Sequence, residues 1–272
     1  MNEEQSKIQN PESKIGLALS AGAAKGLAHI GVLKALTGNG ISIDAIAGTS
    51  AGAIIGGAVA SGLSPAQIAE MAAKARWLSL GRFGFSRFGL LSNAPMKKYI
   101  EQNFVTTKFE EMRIPFACVA TDLASGDKVI LQKNGDAATA ICASCAVPGM
   151  FVPVTIDNRK LIDGGIVEFT PTNTVRTLGA NFVIAVDVLA DDSRVFSTPQ
   201  TGLGVFFQSA FLLLKTAASF QHNYADIVIR PKVGHLRADE VGRAKEFIEA
   251  GEAATLEVID EIKRLSQLNK GV

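Results

Sequence analysis

An α/β protein, with a mostly parallel sheet covered by helices on both faces, is the fold class that these 272 residues predict. Three observations carry that reading. Short apolar runs alternate along the chain with segments of helical period, the pattern of strands joined by crossover helices. Two junctions between such segments, at residues 21–26 and 48–52, consist almost wholly of Gly, Ala and Ser. Hydrophobic residues make up 47% of the chain, enough to fill one large core.

Each element has a local reason. Residues 15–20 form an apolar run; after the small-residue loop, Leu27, Ile30, Leu33 and Leu36 recur at helical spacing until Gly38-Asn39-Gly40 stops them. Residues 45–49 are a second strand, followed at once by an apolar helix ended at Ser61-Gly62. Ser64-Pro65-Ala66-Gln67 opens another helix, reaching about residue 77, with a cap, a proline in the first turn and Gln in the capping-box place. Residues 80–91 are glycine-broken, with three phenylalanines and two arginines and no clear period. They read equally as a loop folded on the core or as a lid that meets lipid at a membrane surface.

Residues 114–123 and 128–132 pair as a hairpin across Ser125-Gly126-Asp127, residues 135–146 form a small-residue helix ended by Pro148, and residues 159–162 lead into Asp163-Gly164-Gly165. A strand follows at 181–189. Residues 203–220, apolar apart from Gln208 and Lys215, predict a buried helix, with a homodimer or membrane face as the alternative. A last strand at 226–229 precedes one or two amphipathic helices over 237–268. No linker or repeat divides the chain, so it reads as a flexible tail over residues 1–13 and one domain over 14–272.

Composition narrows the function. A net charge of +1 gives no electrostatic case for binding nucleic acid. The polar first 13 residues lack the apolar core of a secretory signal, and the apolar stretch 41–60 contains Asp44 and a glycine-serine turn, so it reads as a strand and helix rather than a membrane span. Three cysteines, Cys118, Cys142 and Cys145, point to a reducing, cytoplasmic setting. The Cys142-Ala143-Ser144-Cys145 spacing has no second cysteine pair or histidine nearby and reads as structural.

The chemistry centres on Gly48-Thr49-Ser50-Ala51-Gly52. A serine at the apex of a sharp strand-to-helix turn needs neighbours without large side chains two places either side, and it faces the positive end of the following helix. Ser50 therefore reads as a nucleophile, although a small-residue turn with an incidental hydroxyl fits the pentapeptide alone as well. The loop at 21–26 would leave backbone N–H groups unpaired at a helix start, able to hold a phosphate or a developing oxyanion. A dinucleotide site wants glycine where Ala21 and Ala23 stand and an acidic residue after the second strand, whereas Asp44 precedes it. The oxyanion reading is preferred.

A serine nucleophile needs a base. His29 lies near the small-residue loop and reads as a packing residue; His222 and His235 sit in polar surroundings late in the chain, where a triad remains formally open. Asp163, at the end of a strand and followed by two glycines, is the better candidate, since partial burial raises a carboxyl's basicity. On spacing alone an Asp-Gly turn explains it equally.

Five blocks, in order, resemble the patatin-like phospholipases of the bacterial, single-domain type: residues 17–33 (LALSAGAAKGLAHIGVL), 48–53 (GTSAGA), 120–123 (ATDL), 143–151 (ASCAVPGMF) and 163–165 (DGG). The resemblance implies a three-layer α/β/α fold and a Ser-Asp dyad, without histidine, that hydrolyses acyl esters of lipids. Ser50 takes the nucleophile's place and Asp163 the base's. The amides around Gly22, Ala23 and Ala24 take the oxyanion hole's place, with Lys25 in the basic position that is Arg in many members, and Gly48 and Gly52 flank the elbow. No cofactor and no metal are implied. The sequence departs from the family at Ala21 and Ala23, in a loop that is usually glycine-rich, and at Glu168 and Phe169, where many bacterial members carry asparagine. A catalytically weak lipid-binding or scaffolding protein is the competing class.

Overall fold

The computed structural model describes residues 14–74, 82–86, 89–190 and 224–268, with isolated positions between 200 and 216. Among them, strands and helices alternate as β1 (Ile15–Leu19), α1 (Ala28–Gly38), β2 (Ala45–Thr49), α2 (Ala51–Ser61), α3 (Pro65–Lys74), β3 (Arg82–Ser86), β4 (Gly89–Ser92), α4 (Ala94–Asn103), β5 (Phe116–Asp122) and β6 (Lys128–Gln132). There follow α5 (Ala137–Ser144), β7 (Gly149–Phe151), β8 (Val154–Ile156), β9 (Arg159–Asp163), α6 (Thr172–Thr177), β10 (Phe182–Val186), β11 (Ile227–Ile229), α7 (Ala244–Leu256) and α8 (Ile259–Leu268).

The central sheet runs β11-β10-β1-β2-β5, all neighbours parallel. Its inner strands alternate between two buried faces, which is why they read as continuous apolar runs. Leu17, Leu19, Ile46, Phe182, Ile184 and Val186 point into the larger core with residues of α1, α2 and α7. Ala18, Ala45, Ala47 and Val183 point the other way, where Val175 of α6 and Ala180 cover them. The residues facing α6 are small, so that helix lies close to the sheet.

On β5 the topology changes from parallel to antiparallel. Residues 117–119 pair with β2 on one edge and with β6 on the other. Where β2 stops, β9 takes over the same edge in the opposite direction, with Asp163 opposite Ala120 on the rung after Thr49 opposite Val119. The β8–β9 hairpin thus fills the space beyond the end of β2. Its strand β8, and β7 before it, are too short to leave a readable period in the sequence.

Several expectations are refined. Residues 82–86 and 89–92 pair as antiparallel strands β3 and β4 rather than lying as an irregular loop, and β4 pairs with β7; positions 80, 81, 87 and 88 lie outside the described residues. The capping box at the start of α3 forms, with Ser64 N–H donating to Gln67 Oε1 at 2.9 Å and Gln67 N–H to Ser64 Oγ at 3.3 Å. Much of 203–220 lies outside the described residues. Its described apolar positions Val205, Leu212 and Leu213 are exposed, so this stretch does not bury them as predicted. The tail assigned to residues 1–13 lies outside the described residues.

The amphipathic closing segment is two helices, of which α7 packs on α1 backbone to backbone. A Cβ at Gly31 would stand 1.8 Å from the Ile248 carbonyl oxygen, and one at Gly251 1.9 Å from that of Ala28. No side-chain rotation relieves such a clash. Gly251→Ala is therefore expected to lower the unfolding free energy by about 1–3 kcal/mol, as overpacked cores do. Urea titration checks this, with Gly242→Ala, where a Cβ meets nothing within 4 Å, as a control that leaves the midpoint unchanged.

Candidate active site

Ser50 stands between β2 and α2 with φ 53° and ψ −119°, a conformation that L residues rarely adopt. The turn is tight enough to demand both flanking glycines. A Cβ at Gly48 would lie 2.4 Å from the Gly52 carbonyl oxygen, and one at Gly52 2.2 Å from that of Leu19. The Ser50 carbonyl starts α2, accepting from the N–H groups of Ala53 and Ile54, but its hydroxyl makes no cap to the helix. It is left to turn toward Asp163.

The ladder on β5 brings that partner in. Ser50 follows the last rung of β2 and Asp163 is the first rung of β9 on the same edge, so two residues 113 positions apart in sequence emerge side by side. Asp163 is fixed on every side. Its N–H donates to the Ala146 carbonyl at 3.0 Å, its carbonyl accepts from Thr121 Oγ1 at 2.9 Å, and its Oδ1 accepts from Gly165 N–H at 2.7 Å. Gly164 is required here because a Cβ would sit 2.1 Å from the Val119 carbonyl oxygen. The Ser50 side chain is near enough to the Asp163 carboxylate to favour its charged form. Burial pushes the Asp163 carboxyl up to about 6; the Gly165 amide and the Ser50 hydroxyl, which favour the charged form, offset part of that rise.

The loop before α1 forms a short 3₁₀ helix over Ala23–Leu27. Ala23 takes φ 49°, a left-handed position with a Cβ to accommodate, so the alanine departure in the sequence falls on a strained site. Of the positions expected to form an oxyanion hole, two are committed elsewhere. Ala24 N–H donates to the Ala238 carbonyl at 2.9 Å, and Lys25 N–H to that of Gly22 at 3.0 Å. The Lys25 side chain is fully buried and donates from Nζ to the Val233 carbonyl at 3.1 Å. The N–H groups of Gly22 and Ala23 meet no acceptor among the described residues. Ala21 N–H goes to the Phe169 carbonyl at 3.0 Å.

Ser50, Asp163, Gly22 and Ala23 share a cavity of about 440 Å³. Its walls are otherwise mainly apolar, including Leu27, Ile54, Met71, Met96, Ile100, Phe151 and Phe169. Glu168 is absent from that lining. Its carboxylate accepts from the N–H groups of Asn173 and Thr174 at the start of α6 and from Lys128 Nζ at 3.0 Å. Of the two residues that depart from the family pattern after Asp-Gly-Gly, only Phe169 faces the cavity.

None of the described histidines lines it. His29 is fully buried, its Nε2 lies 2.9 Å from the Ser20 carbonyl oxygen, and burial holds the imidazole down at about 4. His235 is exposed, and His222 lies outside the described residues. The three cysteines are free and buried. Cys145 lines the cavity, with its thiol against the Ser50 side chain, and burial carries it well above the usual thiol range. The strap at residues 233–241, which covers the small-residue loop through Val233 and Ala238, was not legible as part of the site. A main-chain acceptor leaves no residue type to read.

The fold and these groups define an α/β protein whose strand–serine–helix elbow opens on an apolar cavity. The chain belongs to the patatin-like phospholipase family, the model of which matches residues 17–176. An uncharacterized NTE family protein of Mycobacterium tuberculosis is 36% identical over 177 residues, covering 64% of this chain and 49% of its own. Lysophospholipase nte1 of Neurospora crassa is 31% identical over 202 residues, covering 71% of this chain and 13% of its own. This chain thus spans about half or less of the length of those curated relatives. Among solved structures, VipD from Legionella pneumophila aligns with a TM-score of 0.63 at 14% identity, over 92% of this chain and 67% of that one. The type III effector ExoU aligns with 0.51 at 12% identity, over 97% and 54%. At such identities the likeness speaks for the fold: a mostly parallel sheet flanked by helices. No helix among the described residues is long and apolar enough to cross a membrane.

Proposed function

We propose that the chain is a serine acyl hydrolase of lipid carboxylic esters, a phospholipase A or related lipid acyl hydrolase, with Ser50 as nucleophile and Asp163 as its base. The observation that carries this reading is the meeting of Ser50 and the buried Asp163 carboxylate, brought side by side on one edge of β5, in a mainly apolar cavity. With its carboxyl raised to about 6, Asp163 is ionised at neutral pH yet more basic than a solvated aspartate.

As Ser50 Oγ attacks the ester carbonyl, its proton passes to Asp163 and negative charge moves to the carbonyl oxygen. The N–H groups of Gly22 and Ala23, and the start of α2, face that charge. Collapse of the tetrahedral species expels the alcohol, which takes the proton from Asp163 and leaves an acyl ester on Ser50. Water, deprotonated by the same carboxylate, attacks that ester and releases the acid. The apolar walls accept the acyl chain.

The substrate is a phospholipid or another acyl-ester lipid, not a nucleic acid. Peripheral membrane contact through residues 80–91 is part of the reading, because β4 is paired to β7, which gives Met150 and Phe151 to the cavity wall. A second reading, a catalytically weak lipid-binding or scaffolding protein, draws on the strained Ala23 in the loop.

Exposure to a fluorophosphonate ester, which reacts with activated serines, separates the two. The expected result is one adduct per chain, on the peptide containing Ser50, together with turnover of a short-chain chromogenic ester that the adduct abolishes. An unlabelled Ser50 in folded protein that binds lipid vesicles would favour the scaffold.

A further inference from the structure

The Cys142-Ala143-Ser144-Cys145 segment, which reads as structural in the sequence, touches both halves of the site. It lies at the end of α5. Ser144 is fully buried, and its Oγ accepts the main-chain N–H of Ser50 at 2.9 Å. The thiol of Cys145 lies against the Ser50 side chain. The carbonyl of Ala146 accepts the N–H of Asp163 at 3.0 Å. Three consecutive residues thus bridge the turn after β2 and the end of β9.

The contact from Ser144 answers a need created by the topology. Within β2 the main chain is paired to its neighbours as far as Thr49. At Ser50 the next place on the β5 edge is already taken by Asp163, so the buried Ser50 amide has no strand to donate to. An unsatisfied buried N–H costs the full desolvation of that group. It would also leave a residue held at φ 53° without an anchor on its N-terminal side.

We infer that Ser144 is a positioning residue for reaction at Ser50: its hydroxyl pins the Ser50 main chain so that the strained turn aims Oγ at Asp163. The inference rests on Ser50 being the nucleophile. Ser144 touches neither the carboxylate nor, by its absence from the cavity lining, the bound acyl group. Its loss should therefore act on the rate of acyl transfer and not on binding or on the base.

The test compares Ser144→Ala, Ser144→Thr and Ser61→Ala. Ser61, at the far end of α2, is another fully buried serine, whose hydroxyl donates to the Ala58 carbonyl at 2.7 Å; it controls for loss of a buried hydroxyl as such. In Ser144→Ala, kcat on a chromogenic ester is expected to fall about 10- to 100-fold, the range of one lost positioning hydrogen bond. KM and the acidic midpoint of the pH profile should stay in place. Ser144→Thr, which keeps the acceptor, should recover most of the loss, and Ser61→Ala should leave kcat within about twofold however much it lowers the melting temperature.

Hydrogen exchange at the Ser50 amide reads the bond itself, independently of turnover. Its rate relative to the Ser61 amide should rise at least about tenfold in Ser144→Ala and not in Ser144→Thr. If that exchange is unchanged, or if kcat falls no further in Ser144→Ala than in Ser61→Ala, the positioning role is wrong. If exchange quickens but the intact chain neither turns over ester nor takes the fluorophosphonate, the bond stands and the reading of Ser50 as nucleophile fails.

Discussion

Ser50→Ala is expected to remain folded and to lose about four to six powers of ten in ester turnover, the scale set by removing a serine nucleophile from a hydrolase. The variant keeps the elbow, because the glycines that allow it are Gly48 and Gly52 and the Ser50 main chain is held by Ser144. What disappears is the oxygen proposed to form the acyl ester. Turnover of a chromogenic ester, read beside circular dichroism, checks it. Residual activity above about one part in a thousand would move the nucleophile elsewhere. The Ser50 hydroxyl also favours the charged form of Asp163, so in this variant that group is expected to titrate higher than about 6.

Asp163→Asn should raise stability while removing the proposed base. The wild-type carboxyl is displaced upward, from 3.8 to about 6, chiefly by burial. A folded state that holds its proton more tightly than the unfolded chain is favoured at low pH and loses stability as pH rises. For Asp163 the contribution is fully present below about pH 4 and is lost as pH passes through about 6. That displacement corresponds to about 3 kcal/mol between those limits. Asparagine carries no charge to bury, and its oxygen can still accept from Gly165 N–H. The melting temperature of Asp163→Asn should therefore exceed wild type at pH 8, with the difference shrinking toward pH 4. Ester turnover at pH 8 should fall by about 10²–10⁴, the range of general-base catalysis. In wild type, kcat/KM is expected to climb to a plateau with its midpoint near 6. A flat profile from pH 5 to 8, with no gain in stability for the asparagine variant, would remove Asp163 from the role.

The parts of this site that the sequence announces are those whose causes are local. Gly48 and Gly52 are dictated by a turn only five residues long, and the strands on either side show themselves by apolar runs. Asp163 was visible as a strand-end carboxylate before two glycines, but nothing local said which strand edge would receive it. That depends on β9 displacing β2 along β5. The resemblance to a family supplied the pairing that spacing could not. The loop at residues 21–26 illustrates the opposite limit. Its amides could be expected to be free from residues 21–26 alone. Yet that of Ala21 is taken by Phe169 and that of Ala24 by Ala238, both far along the chain. Glu168 departs from the family pattern, and its carboxylate turns to the start of α6 and Lys128. The hairpin at 82–92 escaped because its glycines break the alternation that marks a strand.

Because β9 is laid along β5 in register with the end of β2, the gap between Ser50 and Asp163 is indexed by main-chain ladders more than by the side chains around them. The hairpin that carries β9 turns at Asp157 and Asn158, at the end of the strand away from Asp163. Extra residues inserted at that tip would lengthen the hairpin outward and leave the gap as it is. One residue deleted between Arg159 and Asp163 would invert the strand's alternation and turn the carboxylate to the opposite face of the sheet. The molecule has one end of this hairpin open to variation and the other calibrated to a single residue.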